Sequence, residues 1–161
     1  MLYQVTKRVF SLGDKYDILD GNNTPIYHVQ GKFFSIGNKL SLLDNSGAEI
    51  VRIEQRVMSL VSEYDIYQGR QIAAVVKNKV FSLLVPRFTI DGPGGNYEMQ
   101  GDWLNWNYTI TQNGQTVAQI SRQLALFQDR YGVQIQSGAD APLLLAIAIV
   151  MDEVMHPNQK D

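Results

Sequence analysis

The chain has 161 residues, no cysteine, 14 Lys and Arg against 16 Asp and Glu, and a formal net charge of −2. These values exclude a disulfide scaffold, a thiolate nucleophile and sulfur-ligated zinc, and they leave no global basic field to hold nucleic acid. A hydrophobic share of 45% and a charged share of 19% are ordinary for a single soluble domain of this length.

The opening MLYQVTKRVF holds no apolar stretch of signal-peptide length, which points to a cytoplasmic protein. It reads as a first strand. The sequence then repeats: KRVFSLGDKYDI (7–18), GKFFSIGNKLSL (31–42) and QRVMSLVSEYDI (55–66) align without a gap, and NKVFSLLVPRFTI (78–90) follows with one extra residue. Ser11, Ser35, Ser59 and Ser82 mark the units, and the anchors Tyr16, Leu40, Tyr64 and Phe88 are each 24 residues apart. Each anchor opens an alternating stretch such as Tyr16-x-Ile18, the period-two pattern of a half-buried strand. Each stretch runs into Gly- and Asn-rich turn chemistry: Asp20-Gly-Asn-Asn, Asp44-Asn-Ser-Gly, Gln68-Gly-Arg, Asp91-Gly-Pro-Gly-Gly and Gln112-Asn-Gly-Gln. Returning strands are predicted over 25–36, 49–60 and 71–84. They change phase near Gly31, Gln55 and Asn78. Ile50 and Ile53 are three apart and would face opposite sides of a regular strand, so a bulge or bend is expected near the middle of that strand.

With a last strand at 130–136, the count is twelve. A closed barrel of twelve strands has a backbone diameter of roughly 23 Å and a bore of about 11–12 Å once wall side chains are placed, close to the width of one helix. The segment DAPLLLAIAIVMDE (140–153) is apolar on every side. Such a helix must be buried all round, and it is too short to span a bilayer, which takes roughly 20 residues. It is predicted to plug the barrel, with Asp140 as N-cap, Pro142 in the first turn and Pro157 beyond its end. Asp152 and Glu153 oppose the helix dipole and call for cationic partners. One all-β barrel domain is therefore expected over 1–155, with a short tail at 156–161.

Signals for catalysis are sparse. His28 lies within a strand, and no second histidine stands at ligand spacing to form a metal site. The Gly92-Pro-Gly-Gly run leads into a strand, whereas a phosphate loop requires a helix. Trp103 and Trp106 read as core packing. Arg8, Lys32, Arg56 and Lys79 occupy one place in the repeat, three residues before each serine. Equivalent residues of successive hairpins lie about 10 Å apart, so the four would form an arc of positive charge suited to an anionic head group or phosphate. The bland alternative is an arc that is solvated or pairs with Asp140, Asp152 and Glu153.

The stretches FFSIGNKLSLLDNSGAEIVRIEQ (33–55), GDWLNWNYTI (101–110), VAQISR (117–122) and the LLLAIAIVMDE helix, in this order and spacing, resemble the LURP-one-related family, in a member of bacterial type. The resemblance implies the tubby-like fold, a twelve-stranded antiparallel barrel around a central hydrophobic helix. It implies no activity. Tubby proteins of the same fold bind phosphoinositide head groups, but their lipid-binding residues match no motif here and none is carried over. The expectation is a non-enzymatic protein without cofactor, cytoplasmic or peripheral at a membrane, binding an anionic phospholipid or other anion through the arc. The alternatives are a protein-interaction module with no small ligand and an enzyme with an unfamiliar barrel-mouth site.

Overall fold

A computed structural model describes residues 1–8, 13–32, 35–79 and 86–156. The alternating stretches form twelve strands: β1 (Leu2–Lys7), β2 (Asp14–Leu19), β3 (Pro25–Gly31), β4 (Lys39–Asp44), β5 (Glu49–Gln55), β6 (Glu63–Gln68), β7 (Gln71–Lys79), β8 (Arg87–Gly92), β9 (Gly95–Asp102), β10 (Asn107–Gln112), β11 (Gln115–Ser121) and β12 (Arg130–Ile135). Every strand pairs antiparallel with its neighbour in sequence, and β1 pairs with β12, with Val5 opposite Tyr131, so the sheet closes and leaves no edge. The alternation sets which side chains face inward. Tyr16 and Ile18, Leu40 and Leu42, Tyr64 and Ile66, and Phe88 and Ile90 are all buried in one core.

The expected bulge exists, but it lies next to the tight turns. Register shifts leave Ile26, Ile50, Ala73 and Val117 as the extra residue of β3, β5, β7 and β11. Ile26, Ile50 and Ala73 still pack against the core, which accounts for the spacing of Ile50 and Ile53: the bulge re-aims the strand by one residue. Repeated at the same end of successive hairpins, these bulges bend the sheet towards closure. The long returning strands are corrected. Strand β3 stops at Gly31 and β5 at Gln55, and residues 35–36 and 56–60 are loop. The remainder of the third returning strand, 80–84, lies outside the described residues.

The plug is α1 (Ala141–Met155), and it runs two residues beyond the predicted end. The Asp140 carboxylate accepts a hydrogen bond from the Leu143 N–H at 3.1 Å, and Pro142 sits in the first turn. Every residue from Leu143 to Asp152 is buried. Fully burying one Leu, Ile or Met side chain stabilises by about 1.5–3 kcal/mol, so α1 is the centre of the core. His156 was assigned to the tail by sequence. It is instead the buried C-cap, stacked on the Trp106 ring with centroids 3.7 Å apart.

Candidate functional site

The up-and-down order sends alternate connections to opposite ends of the barrel. The N-terminal end of α1 shares its end with the tight turns, at 20–24, 45–48, 69–70, 93–94 and 113–114. The other connections, most of them longer and among them 32–38, 56–62, the short 103–106 and 122–129, leave from the other end, which also holds Asp152, Glu153 and His156. Charge divides with them. Of the thirteen described Lys and Arg residues, eleven lie in the strand halves or loops of the long-loop end, and only Arg52 and Arg70 lie elsewhere. Eight carboxylate residues share that end, against seven in the other half, so the long-loop half carries a net of three positive charges and the tight-turn half five negative ones. A chain of modest negative charge is thus a polarised barrel.

All four arc residues belong to the long-loop end, where their strands finish. Backbone N–H groups of Arg8, Lys32 and Arg56 donate to Lys15, Lys39 and Glu63 carbonyls at 2.8, 2.9 and 2.9 Å. These three repeat positions are therefore structurally equivalent. Their side chains are not. Arg8 pairs with Asp17, whose other oxygen meets His28 Nδ1 at 2.8 Å. Arg56 is held by both oxygens of Asp65, at 2.7 and 2.9 Å, and by Glu63 at 2.6 Å. Burial works against ionisation of Asp17, yet hydrogen bonds from Arg8 and His28 outweigh it and hold the pKa below the usual carboxylate value. Lys32 and Lys79 are exposed and have no ionic partner among the described residues.

A signal in the sequence accounts for this split and was missed. Nine residues after Arg8 and Arg56 stand Asp17 and Asp65, whereas nine after Lys32 stands Ser41, and the matching place after Lys79, shifted by the extra residue, is Thr89. Arginine with a carboxylate alternates with lysine and a hydroxyl around the barrel. The acids at the helix ends serve other partners. Asp140 caps α1 and accepts from Gln68 Nε2. Asp152 and Glu153 receive the cations their position requires, which are Lys7 (3.7 and 4.0 Å) and Lys15 (3.8 Å to Glu153). Tyr16 Oη donates to Glu153 at 2.6 Å and Asn38 Nδ2 at 3.2 Å. Burial raises the Asp152 pKa to about 6, with Lys7 opposing, and lowers that of His156 to about 4.

Cavities follow the same plan. Inside the barrel mouth, Lys7, Trp106, Arg122, Tyr131 and Asp152 line a space of about 20 Å³, enough for a single water molecule. The two larger recesses are on the outside: one of about 290 Å³ beside Arg8, His28 and Gln30, and one of about 260 Å³ beside Gln68, Tyr97 and Asp140. Among the described residues no three His, Asp or Glu side chains gather at metal-binding distance, and no helix is long and apolar enough to cross a membrane.

A closed antiparallel barrel of twelve strands threaded by a hydrophobic helix defines the tubby-like class. The family model described as LURP-one-related matches residues 1–152, and the chain belongs to that family. It is 33% identical over 160 residues to the Bacillus subtilis protein YxjI, itself uncharacterised, covering 99% of this chain and 82% of that one. An X-ray structure of an Arabidopsis thaliana protein superposes with a TM-score of 0.71 over 95% of this chain and 90% of its own, at 18% identity, and shares the fold.

Proposed function

We propose that the protein is a non-enzymatic, peripheral binder of anionic phospholipid surfaces, engaging head groups through the arc of Arg8, Lys32, Arg56 and Lys79. The observation that carries this reading is the division of charge along the barrel axis. A molecule with excess positive charge at one end and excess negative charge at the other is turned by an anionic surface so that its basic end meets it. Each cation brought near such a surface contributes about 1 kcal/mol. Among the described residues Lys32 and Lys79 meet no carboxylate, so no ion pair there has to break. Arg8 and Arg56 are pre-positioned by carboxylates that fix their guanidinium groups at the strand ends. With the helix filling the bore, contact with a head group falls to the outer surface and the rim.

Co-sedimentation with vesicles tests the reading. At low salt the protein is expected to pellet with vesicles containing anionic lipid and to remain in solution with neutral ones. The pair Lys32→Glu and Lys79→Glu is expected to abolish the difference. Equal behaviour of the native protein with both vesicle types would overturn the proposal. A stoichiometric protein partner that stays bound at high salt would favour an interaction module instead.

A further inference from the structure

Resting on that reading, we infer that the long-loop rim inserts apolar side chains into the anionic bilayer, at two prongs on opposite sides of the barrel mouth. Exposed large apolar residues are not scattered evenly over the molecule. Among the described residues Ile36, Val57, Met58, Leu60 and Leu104 lie in loops of the long-loop end, and Met1 and Ile72 are exposed elsewhere. Leu126 and Phe127 lie where the 122–129 connection folds back on the outer wall, with the Leu126 N–H donating to Gln4 Oε1 at 2.8 Å and the Phe127 ring against Arg130, which reaches Asn23 of the tight turn. Met58 and Leu60 present 96% and 104% of their reference surface and Ile36 81%, so these side chains make almost no contact with their own fold.

Their placement around the mouth is ordered. The strand order puts the β3–β4 and β5–β6 connections side by side, and the β9–β10 connection across the barrel from them. The first prong is braced. Asn38 N–H donates to the Gln55 side chain at 3.0 Å, and Gln55 N–H donates to the Asn38 carbonyl at 2.8 Å. Gly37, at φ +76°, lies so close to Val57 that a Cβ there would sit 2.6 Å from its methyl group. Ile36 and the Met58–Leu60 tip are thereby held as one unit. In the second prong, three polar hydrogen atoms of Leu104 and Asn105 bond to the Asp102 carboxylate, which shapes the Leu104 tip.

The arrangement selects a bilayer over a protein. Separate convex tips on opposite sides of a mouth roughly 20 Å across match a fluid surface that closes around each tip. A protein interface of the usual kind buries a contiguous apolar centre within a polar rim. Lys32 and Arg56 open the loops that carry the first prong. Basic residues at the base of an apolar tip occupy head-group depth when the tip is in the acyl layer. Contact at two opposite prongs sets the barrel axis close to the membrane normal, with the acidic tight-turn end facing away.

Because the chain contains no cysteine, Leu60→Cys, Leu104→Cys and Ser46→Cys each create one attachment site for an environment-sensitive fluorophore. With anionic vesicles carrying a quencher in their acyl chains, labels at 60 and 104 are expected to shift to the blue and be quenched. The label at 46, on the tight-turn end, is expected to do neither. In unlabelled protein, Met58→Ser with Leu60→Ser is expected to lower vesicle partitioning by about tenfold or more while leaving the melting temperature within about 2 °C, since neither side chain is packed. If the native protein and the serine variant pellet equally with anionic vesicles and the labels are not quenched, insertion is wrong and head-group binding stands. If nothing pellets at low salt, both fail. Protection of the labels by a co-purified protein, without quenching by vesicles, would also overturn the insertion and assign the rim to a protein partner.

Discussion

At one end of this barrel, connections of two to five residues close on local chemistry: Asp20 accepts from the N–H groups of Asn22 and Thr24, Asp44 from those of Ser46 and Ala48, and Asp140 caps the helix. At the other end, longer connections are held by contacts from far away in sequence, with Lys7, Lys15, Tyr16 and Asn38 converging on the last turn of α1. The tight-turn end is specified by nearest neighbours and tolerates little change. The long-loop end is fixed at its base by an ionic network around the helix, and its tips are left free to carry charge and apolar surface. One end is scaffold, and the other is surface chemistry mounted on it.

The largest effect on this contrast comes from what the two ends share. Ile147 sits midway along α1 with no solvent exposure, and Ile147→Asp is expected to remove the fold altogether. An unpaired buried charge costs several kcal/mol against a typical total of 5–15. The measurement is recovery of soluble protein with a cooperative melt, and a stable variant would mean that the helix is not the core.

Next comes packing at the tight-turn end. A Cβ on Gly92 would lie 2.1 Å from the Ala73 carbonyl oxygen, whereas one on Gly94 would meet nothing within 4 Å. Gly92→Ala is expected to lose about 2–3 kcal/mol on denaturant unfolding, and Gly94→Ala to change stability by less than about 0.5 kcal/mol. Equal losses would contradict the strand approach described at this end.

At the long-loop end the expected sign is reversed. Native Asp152 titrates near pH 6 and an unfolded one near 3.8, so between these values the native state holds a proton that the unfolded state has lost. Its contribution to stability therefore falls as pH rises from about 4 to 6. His156 titrates near 4 in the native state against 6.5 unfolded, so its contribution falls as pH drops from 6.5 to 4. The two slopes oppose each other and flatten the native profile between pH 4 and 6. Asp152→Asn is expected to add about 1–2 kcal/mol at pH 7.5 and to leave the His156 slope uncovered, with the gain vanishing towards pH 4. Thermal melts of both proteins across that range provide the check. A loss at pH 7.5 would show that the Lys7 pair outweighs the burial of the charge.

The smallest effect is the local one at the helix start. Asp140→Ala removes the cap on Leu143 and is expected to lose about 1 kcal/mol. This shifts the melting temperature by about 2–4 °C for a domain of this size, with no change in vesicle binding.

Strand count, turn positions, barrel closure and the plug are all legible in the sequence, because alternation, Asn–Gly chemistry and an all-round apolar helix are local patterns. The rim was misread for a physical reason. Ile36, Val57, Met58 and Leu60 have the composition of buried strand, and composition alone cannot distinguish a side chain facing a core from one facing a partner. The difference between Arg8 and Lys32 is written nine residues further on, as Asp17 against Ser41, and the register across β1–β2 and β3–β4 is what gives that spacing its meaning. The place of His156 needed Trp106, fifty residues away, at its left-handed φ of 50°.

The helix that fills the barrel follows all twelve of its strands in chain order. Until residues 141–155 leave the ribosome, the inward faces of twelve strands have no core to pack against, and β1 must wait for β12 to complete its pairing. Folding of the barrel is therefore gated by its plug, and no partial product ending before α1 has a stable barrel available to it. A nascent chain of this design presents its greasiest surfaces longest, and the cell that makes it must shield them until the plug arrives.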